Sequence, residues 1–241
     1  MNRRRVAVRA GLAALVAWLA FAALTAVVVS GHGAPLRPDR GLLSWSVGHR
    51  PPDAVAVARG LTATGTGIVP YALMVLAGLV VGRTARERVT AVLLAMACLG
   101  LGQTLRYDAM DLIRRARPPR SDWQTHASGW SYPSGHTTTA ALTAGLLILA
   151  LWARSPRGRA ALCALAACWG AAVGLTRVFL GVHWFTDVVG GWLFAVGWLG
   201  LLLALGARWG PARFLPGGVD ATGPGDGPAE EDAAQQSGRR G

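Results

Sequence analysis

The sequence predicts an all-α integral membrane bundle of six transmembrane helices, and three observations carry that prediction. Hydrophobic residues make up 52% of the 241-residue chain and charged residues only 15%, a composition too apolar for an ordinary soluble domain. Six apolar runs recur along it: Ala10 to Ser30, Leu61 to Gly82, Val89 to Leu105, Thr137 to Ala153, Ala160 to Leu175 and Val188 to Ala207. Each approaches the roughly 20 residues needed to cross a hydrocarbon core of about 30 Å. Backbone polar groups in lipid need partners within their own segment, so these runs are expected to be helices. Arginines, finally, gather between the runs and set their direction.

The first run follows Asn2-Arg3-Arg4-Arg5 and so resembles a signal peptide. It is longer than the usual 7 to 15 residue apolar region, and an uncleaved first helix is expected. One set of connections carries Arg3, Arg4, Arg5 and Arg9, then three arginines from Arg83 to Arg88, three more from Arg154 to Arg159, and the C-terminal tail. The positive-inside rule makes this set cytoplasmic, with both termini. The segments from Gly31 to Gly60, Arg106 to His136 and Thr176 to Asp187 then face outward, in a multi-pass protein of the cell (inner) membrane. Arg106, Arg114, Arg115, Arg117 and Arg120 break the charge rule in the middle segment, and a functional reason is the natural explanation. Trp152 and Trp209 near inner ends, with Trp184 near an outer end, suit an aromatic belt. The first outer segment holds Pro35, Pro38, Pro51 and Pro52 with Leu42, Leu43 and Trp45 between them, and is expected to include a short helix on the membrane surface. His32 and His49 read as solvated loop residues. A membrane domain over 1–210, with its motif-bearing core at 61–207, gives way to a tail at 211–241. That tail is rich in Gly, Pro and Ala, holds five of the twelve acids, and is expected to be disordered.

The net charge of +12 comes from arginine alone, because the chain has no lysine. These arginines lie in short clusters between apolar runs and form no continuous basic face, which argues against nucleic acid as a partner. Cys98, Cys163 and Cys168 fall inside apolar runs without metal-ligand spacing. They are expected to be small buried hydrophobes with no disulfide, and neither a metal nor a cofactor is expected.

Three polar clusters map to the same outer face although long apolar runs separate them. The stretch Thr176 to Asp187 places Arg177, His183 and Asp187 in an apolar setting, where ionisable groups are costly enough to mark function. Spacing of four puts His183 and Asp187 on one face of a helix, and a carboxylate beside an imidazole fixes its tautomer. In Ser131 to His136, Ser134 is a plausible N-cap and the amides of Gly135 and His136 are free donors at a helix N-terminus, an anion site. In Arg114 to Arg120, Arg117 pairs with Arg177 as a planar donor fork suited to phosphate oxygens.

These motifs resemble the type 2 phosphatidic acid phosphatase (PAP2) superfamily of lipid phosphate phosphatases, which shares its site with vanadium haloperoxidases. The family pattern is Lys, six residues, Arg-Pro; then Pro-Ser-Gly-His; then Ser-Arg, five residues, His, three residues, Asp. This chain has Arg117-Pro118, Pro133-Ser134-Gly135-His136, and Thr176-Arg177 followed by His183 and Asp187. Thr176 replaces a serine, and Met110 stands at the lysine position.

The resemblance implies a metal-independent phosphatase acting on a lipid phosphate or polyprenyl pyrophosphate, its site extracytoplasmic at the headgroup level. His183 would be the nucleophile forming a phosphohistidine, Asp187 its orienting carboxylate and His136 the general acid and base. Arg117, Arg177, Ser134 and Gly135 would hold the phosphate, with Arg115 an additional candidate. Alternatives are a phosphotransferase of the same superfamily, or a non-catalytic lipid-phosphate-binding protein, the latter motivated by Met110.

Overall fold

The computed structural model describes residues 3–154 and 157–209. The tail expected at 211–241 lies outside these residues. In chain order the helices are α1 (Arg3–Ser30), α2 (Arg37–Gly48), α3 (Pro52–Ala63), α4 (Ile68–Val81), α5 (Ala85–Ile113), α6 (Gly135–Arg154), α7 (Arg159–Phe179) and α8 (Phe185–Trp209), with a 3-10 turn at Arg120–Asp122. No strand occurs among the described residues. Among the described residues five helices are long and apolar enough to cross a membrane, and the count is six if α3 and α4, bent by 51° at their junction, are one span. Large apolar side chains such as Leu12, Leu19, Leu94 and Leu165 are exposed on the outer surface. On a membrane bundle that is the lipid-facing side, where apolar exposure carries no hydrophobic penalty.

Helices α6, α7 and α8 run alternately down, up and down, and α1 lies antiparallel along α8. Arg3 Nε donates to the Ala207 carbonyl at 3.2 Å, while nearer the other end Trp18 packs edge-on against Phe194. The close approach depends on small residues: a Cβ on Gly200 would stand 3.0 Å from the Ala10 carbonyl oxygen and 3.1 Å from the Ala14 side chain. Between membrane helices, where lipid removes much of the hydrophobic drive, such contact lets dispersion hold the pair. Met74, Leu99, Leu142 and Ala195 fill the centre between α4, α5, α6 and α8.

This topology brings the connections 31–51, 114–134 and 180–184 to one end of the bundle and the turns before α5 and α7 to the other. The outer segment expected at Gly31 to Gly60 holds α2 and most of α3 rather than one short helix. Pro51 and Pro52 stop α2 and start α3, since proline is accepted where a first-turn N–H would have no partner anyway. His49 is exposed, as expected, and its ring stacks on the exposed Trp45.

Two boundaries differ from the hydropathy runs in ways that matter. Helix α5 continues past Leu105 to Ile113, so Arg106 and Met110 lie on a helix, one turn apart, rather than in a loop. Its final turns carry Tyr107, Asp108 and Asp111 on the exposed side, which ends the apolar run without ending the helix. Helix α7 likewise runs on to Phe179 and carries Arg177 in its last turn. The arginine surplus at this end has a structural explanation too: Arg106 and Arg115 are buried, Arg117 is half-buried, and only Arg114 and Arg120 are exposed. The expected burial of all three cysteines fails, because Cys163 is half-buried and Cys168 exposed.

Candidate active site

The connection between α7 and α8 positions the imidazole at the centre of the site. Asp187, in the first turn of α8, reaches back so that Oδ2 accepts from the Trp184 N–H at 2.8 Å. A carboxylate at a helix N-terminus is doubly favoured there, by the free amides and by the helix dipole. The same Oδ2 lies 3.3 Å from His183 Nδ1. On the other side of the ring, Arg117 Nη1 lies 2.8 Å from His183 Nε2. A guanidinium can only donate, so Nε2 is the acceptor and Nδ1 carries the proton. The imidazole is therefore held in the tautomer that leaves a lone pair on Nε2.

Arg117 is fixed by backbone carbonyls. Nε donates to Gly129 at 3.0 Å, Nη2 to Ser128 at 2.7 Å and Trp130 at 2.9 Å, and Nη1 to Val182 at 2.8 Å. None of these acceptors is a carboxylate, so its positive charge faces the site without a salt bridge. Arg177, 2% exposed, is less satisfied still. Nη1 donates to Thr62 Oγ1 at 3.0 Å, and the buried Nε has no acceptor among the described residues.

Helix α6 supplies the remaining groups. Ser134 immediately precedes it, its carbonyl accepting from the Thr138 N–H at 2.9 Å and its own N–H donating to the Asp187 carbonyl at 3.1 Å. The Ser134 hydroxyl accepts from Thr137 Oγ1 at 3.0 Å. His136 Nε2 lies 3.3 Å from Thr66 Oγ1, in the break between α3 and α4. The bent span thus brings a hydroxyl against a histidine that a continuous helix would pass by. The charges acting on His136 come from Arg177, His183, Arg117 and Arg106. His183, Asp187, Arg117, Arg177, Ser134, Gly135 and His136 thus converge at one end of the bundle, as the three clusters require.

Arg115 has a different position from the phosphate-binding one expected of it. Nη1 donates to Asp187 Oδ1 at 2.6 Å and Thr186 Oγ1 at 2.7 Å, Nη2 to Asp39 Oδ2 at 2.7 Å and the Ala34 carbonyl at 3.5 Å, and Nε to the Gly33 carbonyl at 3.2 Å. All five donors of this fully buried side chain are committed to protein, leaving none for a substrate. Arg115 instead orients Asp187. Trp184 is also displaced from the expected aromatic belt: it is 7% exposed, and its Nε1 donates to the Ala116 carbonyl at 2.9 Å.

Asp39 is the residue that the motifs miss. It is fully buried, caps α2 by accepting from the Leu36 N–H at 3.0 Å, pairs with Arg115, and accepts from both the Thr186 N–H at 2.8 Å and the Thr186 hydroxyl. One carboxylate thereby ties α2, the segment after α5 and the start of α8 together. The available signal was scarcity: outside the tail the chain has only seven acids, and one beside a proline in an arginine-rich face needs a partner.

Burial holds the His183 imidazole well below its usual pKa, and the neighbouring Arg117 and Arg177 push it the same way. The folded protein therefore resists the proton that the unfolded chain takes up near pH 6.5. The stability this gives is present above that pH and is lost as pH falls toward the depressed folded value. Thermal midpoints in detergent should drop from pH 7.5 to pH 5.5, with His183 contributing up to about 1.4 kcal/mol per pH unit. His183→Gln should flatten that part of the slope.

The sequence profile of the PAP2 superfamily matches residues 62–210. The chain belongs to the PAP2 superfamily. It is 29% identical over 170 residues to phosphatidylglycerophosphatase B of Bacillus subtilis strain 168, spanning 68% of this chain and 79% of that protein. Lipid A 1-phosphatase of Rhizobium etli is 37% identical over 102 residues, 39% of this chain and 40% of that protein. The fold matches the crystal structure of a transmembrane PAP2 type phosphatidylglycerolphosphate phosphatase from Bacillus subtilis with a TM-score of 0.67 and 27% identity, covering 81% of this chain and 94% of that one. With its own apolar helices, this places the PAP2 chain in a membrane as a multi-pass protein.

Proposed function

We propose that the protein is a lipid phosphate or polyprenyl pyrophosphate phosphatase working through a phosphohistidine. The observation that carries this is the His183 imidazole, oriented at Nδ1 by Asp187 and faced by Arg117 and Arg177, which make no salt bridge among the described residues. Its lone pair on Nε2 attacks phosphorus while the bond to the leaving oxygen breaks, and His136 gives that oxygen a proton. Water then attacks the phosphohistidine, His136 takes its proton, and the N–P bond electrons return to Nε2 as inorganic phosphate leaves. Arg117, Arg177 and the amide at Gly135 stabilise the equatorial oxygens, where charge spreads in the transition state. Nothing in this sequence of steps calls for a metal.

The same end of the bundle carries the surface helix α2, which suits a substrate whose phosphate sits at headgroup depth and whose tail lies in lipid. Arginines at the opposite end, in the first turns of α1 and around the starts of α5 and α7, support an extracytoplasmic site with a cytoplasmic N-terminus.

Purified protein in detergent should release inorganic phosphate from phosphatidate or a polyprenyl pyrophosphate with chelator present. Alkaline quenching during turnover of labelled substrate should trap the label on His183. A strict requirement for added divalent metal, or label on another residue, overturns the mechanism.

A further inference from the structure

We infer that Arg106 is a phosphate-binding residue of this site, resting on the phosphatase reading above. Arg106 is 3% exposed, and its guanidinium lies against the first residue of α6. A Cβ on Gly135 would stand 3.3 Å from Arg106 Cζ, 3.5 Å from Nη1 and 3.6 Å from Nη2. Gly135 is the spot where an anion at the α6 N-terminus would accept backbone hydrogen bonds, and its missing side chain is what admits the guanidinium.

The partners of Arg106 are weak. Nε is 3.4 Å from Gln103 Oε1 and Nη1 is 3.3 Å from the Met110 thioether, while Cζ lies over the neighbouring Tyr107 ring at 3.4 Å. Among the described residues it makes no salt bridge. Burying a charge without a direct ion pair is costly, and the contrast with Arg115 is direct: equally buried, Arg115 holds two carboxylates. Arg106, Arg117 and Arg177 are the cations acting on His183, and among the described residues none of them makes a salt bridge. Such a cluster is complete only with a multiply charged anion in it, and a phosphoryl group supplies that charge.

Met110 lies one helical turn beyond Arg106, with its Sδ beneath the guanidinium. The longer, forked side chain of arginine, starting four residues earlier, reaches the α6 N-terminus across it. The chain thus keeps a cation at the phosphate although position 110 has none.

Four forms of the full-length protein in detergent test this with phosphatidate as substrate and inorganic phosphate as inhibitor: wild type, Arg106→Gln, Met110→Lys and the double variant. Arg106→Gln should lower kcat/KM by about 10² to 10³, the loss typical of one preorganised donor, and should weaken phosphate inhibition roughly tenfold or more. Adding Met110→Lys to Arg106→Gln should restore about tenfold or more of the lost rate, which a merely structural Arg106 would not allow. Met110→Lys alone should give no gain, because the place is taken. Wild-type kcat/KM in Arg106→Gln overturns the inference, as does a loss with unchanged phosphate inhibition and no recovery from Lys at 110. Should Arg106→Gln not fold, Met110→Lys decides by itself: an unchanged or lower rate supports the inference, and a rise of about tenfold overturns it. A wild type no more active than His183→Ala sinks the phosphatase reading instead. Phosphate affinity of wild type against Arg106→Gln, followed by phosphorus NMR, then reads Arg106 separately.

Discussion

His183→Ala protein should release phosphate on the order of 10⁴ to 10⁶ times more slowly than wild type, the loss seen when the attacking residue of a covalent catalyst is removed. The side chain is central to the proposed chemistry, and although buried it does not by itself fix its neighbours. It touches Arg117 and Asp187, but Asp187 keeps Arg115 and the Trp184 amide without it. The variant should therefore fold and bind phosphatidate with nearly unchanged KM while kcat collapses. No labelled intermediate should be trapped from it. A variant retaining more than about a hundredth of wild-type kcat would be incompatible with nucleophilic attack by this histidine.

Arg115→Met should cost about 3 to 5 kcal/mol of stability, the penalty for removing one partner of a buried ion pair and leaving the other uncompensated. Here two carboxylates, Asp39 and Asp187, lose their cation together, so the upper end of that range is expected. A thermal shift in detergent reads the loss directly. Asp39→Asn in the Arg115→Met background should recover part of it, because a neutral amide no longer needs the missing charge. A midpoint unchanged from wild type would show that Arg115 is not the keystone its hydrogen bonds describe. Activity of any folded fraction should also fall, since Asp187 would be free to leave His183.

Much of the candidate site was legible because ionisable groups are expensive in lipid: Arg177, His183 and Asp187 stand out in an apolar stretch for that reason alone. The convergence of three separated motifs followed from counting helices between them. Asp39 was not legible, because in sequence it is one acid in a proline-rich connection, and its burial depends on Arg115 and Thr186 arriving from 76 and 147 residues away. Arg115 was misread for the complementary reason. A fork of donors suits phosphate and carboxylate alike, and only the fold says which it meets. The position of Arg106 depended on where α5 ends, and hydropathy stops reporting a helix once its exposed face turns polar.

The contact between Arg117 Nη1 and His183 Nε2 makes ligand entry an exchange. The lone pair that would attack phosphorus in the proposed mechanism is engaged by the group proposed to hold the phosphate. An arriving headgroup must outbid a neutral imidazole for that donor, which anionic phosphoryl oxygens do readily and uncharged esters do not. The proposed nucleophile would thereby be uncapped by the very charge it is meant to act on. Terminal phosphates, richest in that charge, should engage it, while the diesters that make up the surrounding bilayer leave the latch closed.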